Sequence, residues 1–424
     1  MLRSLNIALM LLLIAVPGAL AQTTQFADYD QAFRDLHQEL GRRYTEFGMK
    51  GIDWEKVGQE LIPQASDIHN DEQFGLLCMK LVARLKDSHA HLIDGLGKVP
   101  QAPLPTWDAG LACLVDDRGR PVVYSITPNG DAARSHIKIG MTVISVDGKP
   151  AEQAIEDYEK ELSTYVGYSS QRMLRYDAVR CFLCKKNRGE IINLVLENID
   201  GTQVGVRLHA NASEQDPPHL PVPIEGIGDS DDVSWTHLDR GIGYIYVRRI
   251  RDELPESLDA ALRDLGEMRG LIIDVRGNTG GGFDTQRAFR NFSPDDKEEP
   301  GRPRYSGPIA ILINERCISA GEGWASWFVA NHRARFFGVA TAGASSRKEQ
   351  IAAGNGLYQV IVPVKPYTGF LNRPIEVRGL EPDVAVGYSA KDLAAGKDTV
   401  LAAAIKYLNG LKPAATQHHL TVQN

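Results

Sequence analysis

The stretch Ile309–His332, IAILINERCISAGEGWASWFVANH, decides how the rest of the chain is read. It opens with five apolar residues, Ile309 to Ile313, enough for a buried strand. Asn314, Glu315 and Arg316 break that run, and Cys317-Ile318-Ser319-Ala320-Gly321 follows. Beyond it Trp324, Trp327, Phe328 and His332 recur at three- and four-residue spacing, which predicts a helix. A serine between a strand and a helix start sits on a turn. Its hydroxyl is lifted clear of the sheet and faces the positive end of the helix dipole. An acyl-transfer nucleophile needs that geometry, because amides already in place can meet a developing oxyanion. The competing reading is a plain N-cap, a position serine favours. Cys317, at the end of the apolar run, reads as a packed core thiol.

The same pattern extends to both sides, over a final domain of residues 233–412. GIGYIYVRRI reads as a strand, Leu254 to Leu265 as a helix, and GLIIDVRGNTGGG as a buried strand delivering a glycine-rich turn. A further helix is expected near Asp284. Strand-helix-strand alternation implies parallel crossovers. GNTGGG lacks a following G-K-[ST] and a G-x-G-x-x-G register, so nucleotide binding is not expected. Its glycines, Gly280 and Gly281, instead allow close backbone approach to a substrate. Leu357 to Val364 alternates as another strand. In RPIEVRGLEPDVAV, Glu376 reads as an acid within an apolar strand. It either pairs with Arg373 or Arg378 or takes part in chemistry.

Upstream, residues 1–21 carry Arg3, an apolar run from Ile7 to Val16 and an Ala19-Leu20-Ala21 site, the pattern of a cleaved secretory signal. Export is therefore expected, and no later run is long enough for a membrane span. Residues 22–99 form a helical module, with Tyr29, Phe33, Leu36 and Leu40 at helical spacing. It ends in RLKDSHAHLIDG, where Asp87 and Ser88 adjoin His89 as hydrogen-bonding partners for an imidazole. His89 and His91 make an H-x-H pair, but with no third ligand cluster in sight no metal is expected. A proline-rich link, Pro100 to Pro105, opens a mainly β segment of residues 100–212. Within it, Gly130 to Pro150 resembles a PDZ domain, a class that binds peptide C-termini by strand addition. Its carboxylate loop would lie near Ala109-Gly110-Leu111-Ala112; the other reading is a purely structural strand domain. Residues 213–232 form a polar linker and 413–424 a polar tail. The net charge of −7 argues against nucleic acid as a partner. Five cysteines, an odd and small number, exclude a disulfide framework; Cys181 and Cys184 are a lone C-x-x-C, bonded locally or left as thiols.

Four separated segments together resemble one family: LKDSHAHL, LIIDVRGNTGGG, ILINERCISAGE with GVATAGA, and VRGLEPDVAV. They are similar to the serine peptidases of the C-terminal-processing and tricorn-core type, as is the PDZ-like segment before them. That resemblance implies a multidomain α/β protein with a crotonase-like peptidase core and no cofactor or metal. Its substrate would be a peptide or a protein with an exposed C-terminal tail. In the processing branch a lysine activates the serine, but its position here is Ala344, with Lys348 the nearby substitute. The tricorn-like branch uses a tetrad, which falls on Ser319 as nucleophile, His89 as base, and Ser88 and Glu376 as helpers. The oxyanion donors would be the amides of Ala320 and of Gly280 or Gly281. The sequence departs from the commoner SAS run by placing Gly321 where a further serine would stand. Two alternatives remain: a non-catalytic member that binds peptides or apolar ligands, and a different serine hydrolase such as an esterase. The hydrolase reading demands that an early histidine meet a late serine.

Overall fold

A computed structural model describes residues 28–128, 130–213, 218–228, 231–238, 241–285, 287–293 and 302–411. The expected export signal and the polar tail lie outside them. No helix among the described residues is long and apolar enough to cross a membrane.

The helical module consists of α1 (Tyr29–Arg43), α2 (Phe47–Lys50), α3 (Trp54–Leu61) and α4 (Asp71–Ala83). Asp28, Asp53 and Asn70 cap α1, α3 and α4 through their side chains, each accepting an amide three residues on. A short strand β1 (His91–Asp94) follows.

The β segment begins with β2 (Trp107–Asp108), then β3 (Leu111–Val115), β4 (Pro121–Ile126), β5 (Thr142–Val146) and β6 (Lys149–Pro150). Two helices come next, α5 (Ala151–Ser163) and α6 (Gln171–Cys181), and then β7 (Ile191–Glu197), β8 (Gln203–His209) and β9 (Ala212–Ser213). The antiparallel order is β3-β4-β5-β7-β8, with α6 packed on the edge strand β3. In the loop expected to take a carboxylate, the Gly110 amide is already donated to Asp108 Oδ1.

The final domain is built on one six-stranded sheet. In chain order come β10 (Val233–Leu238), β11 (Ile242–Val247), α7 (Leu254–Leu265), β12 (Gly270–Asp274), β13 (Ile309–Ile313), α8 (Ala320–Ala330) and β14 (Arg335–Gly338). After it come the hairpin strands β15 (Ser346–Ala353) and β16 (Tyr358–Pro366), then β17 (Val384–Ala385), α9 (Ala390–Ala394) and α10 (Thr399–Gly410). The sheet order is β10-β11-β12-β13-β14-β17, parallel from β11 onward as the alternation implied. The residues of β11, β12 and β13 are buried on both faces, which is why they read as continuous apolar runs. Ile309, Ile311 and Ile313 pack with α7 and α8; Ala310 and Leu312 pack with α10.

Two expectations fail. Near Asp284 the described residues make a series of turns with i+3 and i+4 bonds, such as Arg287 and Ala288 to the Asp284 carbonyl, and no helix. Glu376 lies on a turn, because Val377 is held at φ +67° by its amide bond to the Gly343 carbonyl.

The β15–β16 hairpin leaves the large sheet and completes the N-terminal module. Strand β1 pairs with β16 from His91↔Ile361 to Asp94↔Tyr358. Ile351, Tyr358, Val360 and Val362 share one core with Phe33, Phe74 and Leu81. The early histidine segment is thereby joined by main-chain hydrogen bonds to the chain that follows Ser319.

Candidate active site

Strand β13 ends at Ile313 and α8 begins at Ala320, so Ser319 holds the N-cap position. Its backbone is at φ +59° and ψ −123°, and its side chain makes no capping bond. A non-glycine residue in that region carries strain of order 1–3 kcal/mol and persists only where its surroundings impose it. The imposition is visible. The Ser319 amide donates to the Ala344 carbonyl at 2.9 Å, and a Cβ on Gly280 would stand 2.8 Å from Ser319 Cβ. The hydroxyl is thus aimed away from the helix it was free to cap. It opens into a cavity of about 240 Å³ lined by Gly281, Phe283, Ala320, Ser346, Lys348 and Tyr367, among others.

The glycine turn supplies one side of that cavity. Asn278, fully buried, donates to the Val247 carbonyl and accepts the Gly280 amide at 2.8 Å. The Gly280 amide is therefore engaged, which removes it from the expected oxyanion donors. The Gly281 and Ala320 amides have no partner among the described residues. Gly281 sits at φ +133°, and a Cβ there would overlap the Ile250 carbonyl oxygen.

Glu322 was not singled out from the sequence, although Ser319-x-x-Glu322 is a capping-box pattern. The structure uses it differently. Its fully buried carboxylate accepts from Thr341 Oγ1, the Gly343 and Ala344 amides and Ser345 Oγ, at 2.5 to 2.9 Å. Burial raises its pKa, and these four donors oppose the rise. It shapes the loop whose Ala344 carbonyl holds Ser319. Glu322→Ala leaves those donors without an acceptor, so a stability loss of about 3 kcal/mol is expected in urea unfolding.

His89 lies on the turn before β1, nearly buried, with its amide held by Asp87 Oδ1 at 2.9 Å. Its Nδ1 has no hydrogen-bond partner among the described residues. Burial first, and then the Lys348 charge, lower its pKa to about 4, while Asp87 opposes them. The ring does not line the Ser319 cavity and makes no hydrogen bond to Ser319 among the described residues. The two groups share a neighbour in Lys348, which lines the cavity and acts on the ring. Catalytic hydrogen bonds are often long in a substrate-free site and close in the complex.

Ser88 and Glu376 are placed differently from the expected tetrad. The Ser88 hydroxyl accepts the Ser169 amide at 3.0 Å and points at Met173 Sδ, while the Ser88 amide donates to Ser169 Oγ. Glu376, fully buried, accepts from Lys50 Nζ through Oε1 at 2.7 Å and from the Ser345 amide through Oε2 at 2.8 Å. It makes no bond with Arg373 or Arg378 side chains, the pairing weighed from sequence. Burial and the nearby Asp87 charge push its pKa up to about 7, against the pull of Lys50. Glu46, Asp87 and Glu376 form the one trio among the described residues able to hold a metal, and the Lys50 ammonium stands among them. Cys317 is a buried thiol pushed well up by burial, and no disulfide joins Cys181 and Cys184 among the described residues.

Residues 241–386 match the model of peptidase family S41. A tricorn protease homolog of Streptomyces coelicolor is 26% identical over 142 residues, which are 30% of this chain and 12% of that protein's length. Among solved structures, mature CPAF superposes with a TM-score of 0.62 at 15% identity, covering 90% of this chain and 95% of CPAF. Mature CPAF complexed with lactacystin gives 0.61 at 15% identity, over 90% and 97%. At that identity the likeness is one of fold.

Proposed function

We propose that this chain, whose residues 241–386 match the model of peptidase family S41, is an exported serine peptidase acting on peptides or exposed protein tails. The observation that carries the reading is the strained, uncapped Ser319 between two unpartnered amides. In this mechanism the Ser319 hydroxyl attacks the scissile carbonyl as His89 takes its proton. The oxyanion forms between the Gly281 and Ala320 amides, at the positive end of α8. Collapse expels the amine, which leaves with the proton from the imidazolium, and water then hydrolyses the acyl-enzyme. The β3–α6 edge is the natural place for a tail to add as a strand, the PDZ-like role expected above.

A fluorophosphonate tests the nucleophile. The Ser319 Oγ–P bond forms as P–F breaks, fluoride leaves, and the proton passes to the base. Covalent modification at Ser319 supports the peptidase; none would support a non-catalytic binding protein. Parallel turnover of a peptide and a simple ester separates a peptidase from an esterase.

Lys348 is the second candidate base, on a specific observation: it lines the Ser319 cavity and has no ion pair among the described residues. Burial lowers its pKa from the ordinary lysine value. The pH profile decides. A base must be neutral, and His89 is neutral above about 4. With His89 as base, kcat/KM is expected to stay level from neutral pH down to about 5 and to fall only below that. His89→Ala then loses about 10³-fold or more. A rate that climbs into the alkaline range, with Lys348→Ala inactive and His89→Ala near normal, would assign the proton to lysine.

A further inference from the structure

Lys50 carries no motif. It is the last residue of α2, before Gly51 at φ +61°, where a lysine reads as an ordinary helix C-terminus. Yet its side chain is only 3% exposed, and its ammonium lies 2.6 Å from Asp87 Oδ2, 2.7 Å from Glu376 Oε1 and 3.5 Å from Glu46 Oε2. The Tyr44 ring lies 5.5 Å from the ammonium. Opposite-charge attraction from Asp87 and Glu376 holds the amine protonated despite its burial. One buried cation thus serves three carboxylates.

Those contacts lead to two arms of the site. Asp87 Oδ1 takes the His89 amide, so one arm ends at the proposed base. Glu376 Oε2 takes the Ser345 amide, and Ser345 Oγ shares its one proton between Glu322 Oε2 and the Ser319 carbonyl, 3.1 Å away, so the other ends at the nucleophile turn. Glu46 Oε1 accepts from Ser346 Oγ and braces the same loop from α2. Ser169 Oγ, which accepts the Ser88 amide and also bonds Glu376, links the same two turns without a charge, so Lys50 is their one cationic tie among the described residues. We infer that Lys50 is a positioning residue for hydrolysis: its ammonium ties the Asp87–His89 turn to the Glu376–Ser345 turn and so fixes imidazole against alcohol. This role rests on the peptidase reading and assigns Lys50 no contact with substrate. Leaving such carboxylates buried without their cation costs several kcal/mol, which they relieve by protonating or moving apart. Either response separates the two arms.

Lys50 also lines a cleft of about 950 Å³ between the N-terminal helices and α5–α6, with Lys86, Glu156, Ser169 and Val377 on its other walls. That cleft gives a small amine a route to the vacated site in a Lys50→Ala protein. The experiment measures fluorophosphonate inactivation rates and peptide kinetics for wild type, K50A and K50M, with near-UV circular dichroism to report folding. Both variants should lose about 10²-fold in inactivation rate and kcat, with KM within about twofold. Propylammonium at tens of millimolar should restore K50A by about tenfold and leave K50M, whose stem fills the channel, unchanged. A K50A protein labelled within about threefold of wild type would overturn the assignment. So would a folded K50A that ignores the amine, or variants that fail to fold and are not rescued, since Lys50 would then be a folding residue alone. An unlabelled wild-type protein would instead sink the peptidase reading itself.

Discussion

Ser319→Ala lowers peptide turnover by about 10⁴-fold or more and leaves the fold intact, since the change deletes one oxygen from a half-buried side chain. Ser319→Gly is equally inactive, but it separates chemistry from conformation. At φ +59° and ψ −123° a serine is strained and a glycine is not. The glycine protein is therefore expected to gain about 1 kcal/mol of stability, offset in part by its looser unfolded chain. Turnover and thermal melting of both variants check the pair. A Ser319→Ala enzyme retaining activity within about tenfold would exclude Ser319 as nucleophile.

Gly281→Ala carries the second large effect. Its φ of +133° is open to glycine alone, and a methyl group there would overlap the Ile250 carbonyl oxygen. That oxygen also accepts the Gly282 amide at 3.1 Å, so the turn cannot simply slide. Relief requires rotating a peptide of the turn that carries the Gly281 amide, which moves a proposed oxyanion donor. A fall of about 10²–10³-fold in kcat with a smaller change in KM is expected. Gly282→Ala, with open space around its Cβ, is the comparison and should lose less than about tenfold.

These residues show what the sequence could disclose. The strand-turn-helix from Ile309 to Ala330 was legible because a run buried on both faces and a helix with Trp324 and Phe328 buried obey simple periods. The glycines of GNTGGG were legible as a close-approach turn, but which amide stays unpartnered depends on Asn278, and no local pattern says where a buried amide will point. Glu376 was mistaken for a strand residue because Ile375 and Val377 favour strands. Its conformation is fixed from outside, by Gly343 accepting the Val377 amide and Arg172 reaching the Val377 carbonyl at 2.9 Å. A helix was expected near Asp284, yet Phe289 and Phe292 there serve as inward anchors of consecutive turns against Trp327 and Phe328. Glu322 was readable in principle from its spacing to Ser319, and the pattern would have named the wrong partner. Lys50 was beyond reach, because its partners stand 37 and 326 residues away.

The ladder between β1 and β16 bears on when this protein acquires its chemistry during synthesis. A nascent chain that has released everything up to Ala330 already contains both the histidine and the serine. It lacks the hairpin that ends at Pro366, and so lacks a wall of the first module's core as well as the strand against which the histidine segment is registered. Contacts of that sequence separation form late. On the peptidase reading, the unfinished polypeptide is expected to stay inactive until that hairpin has been made.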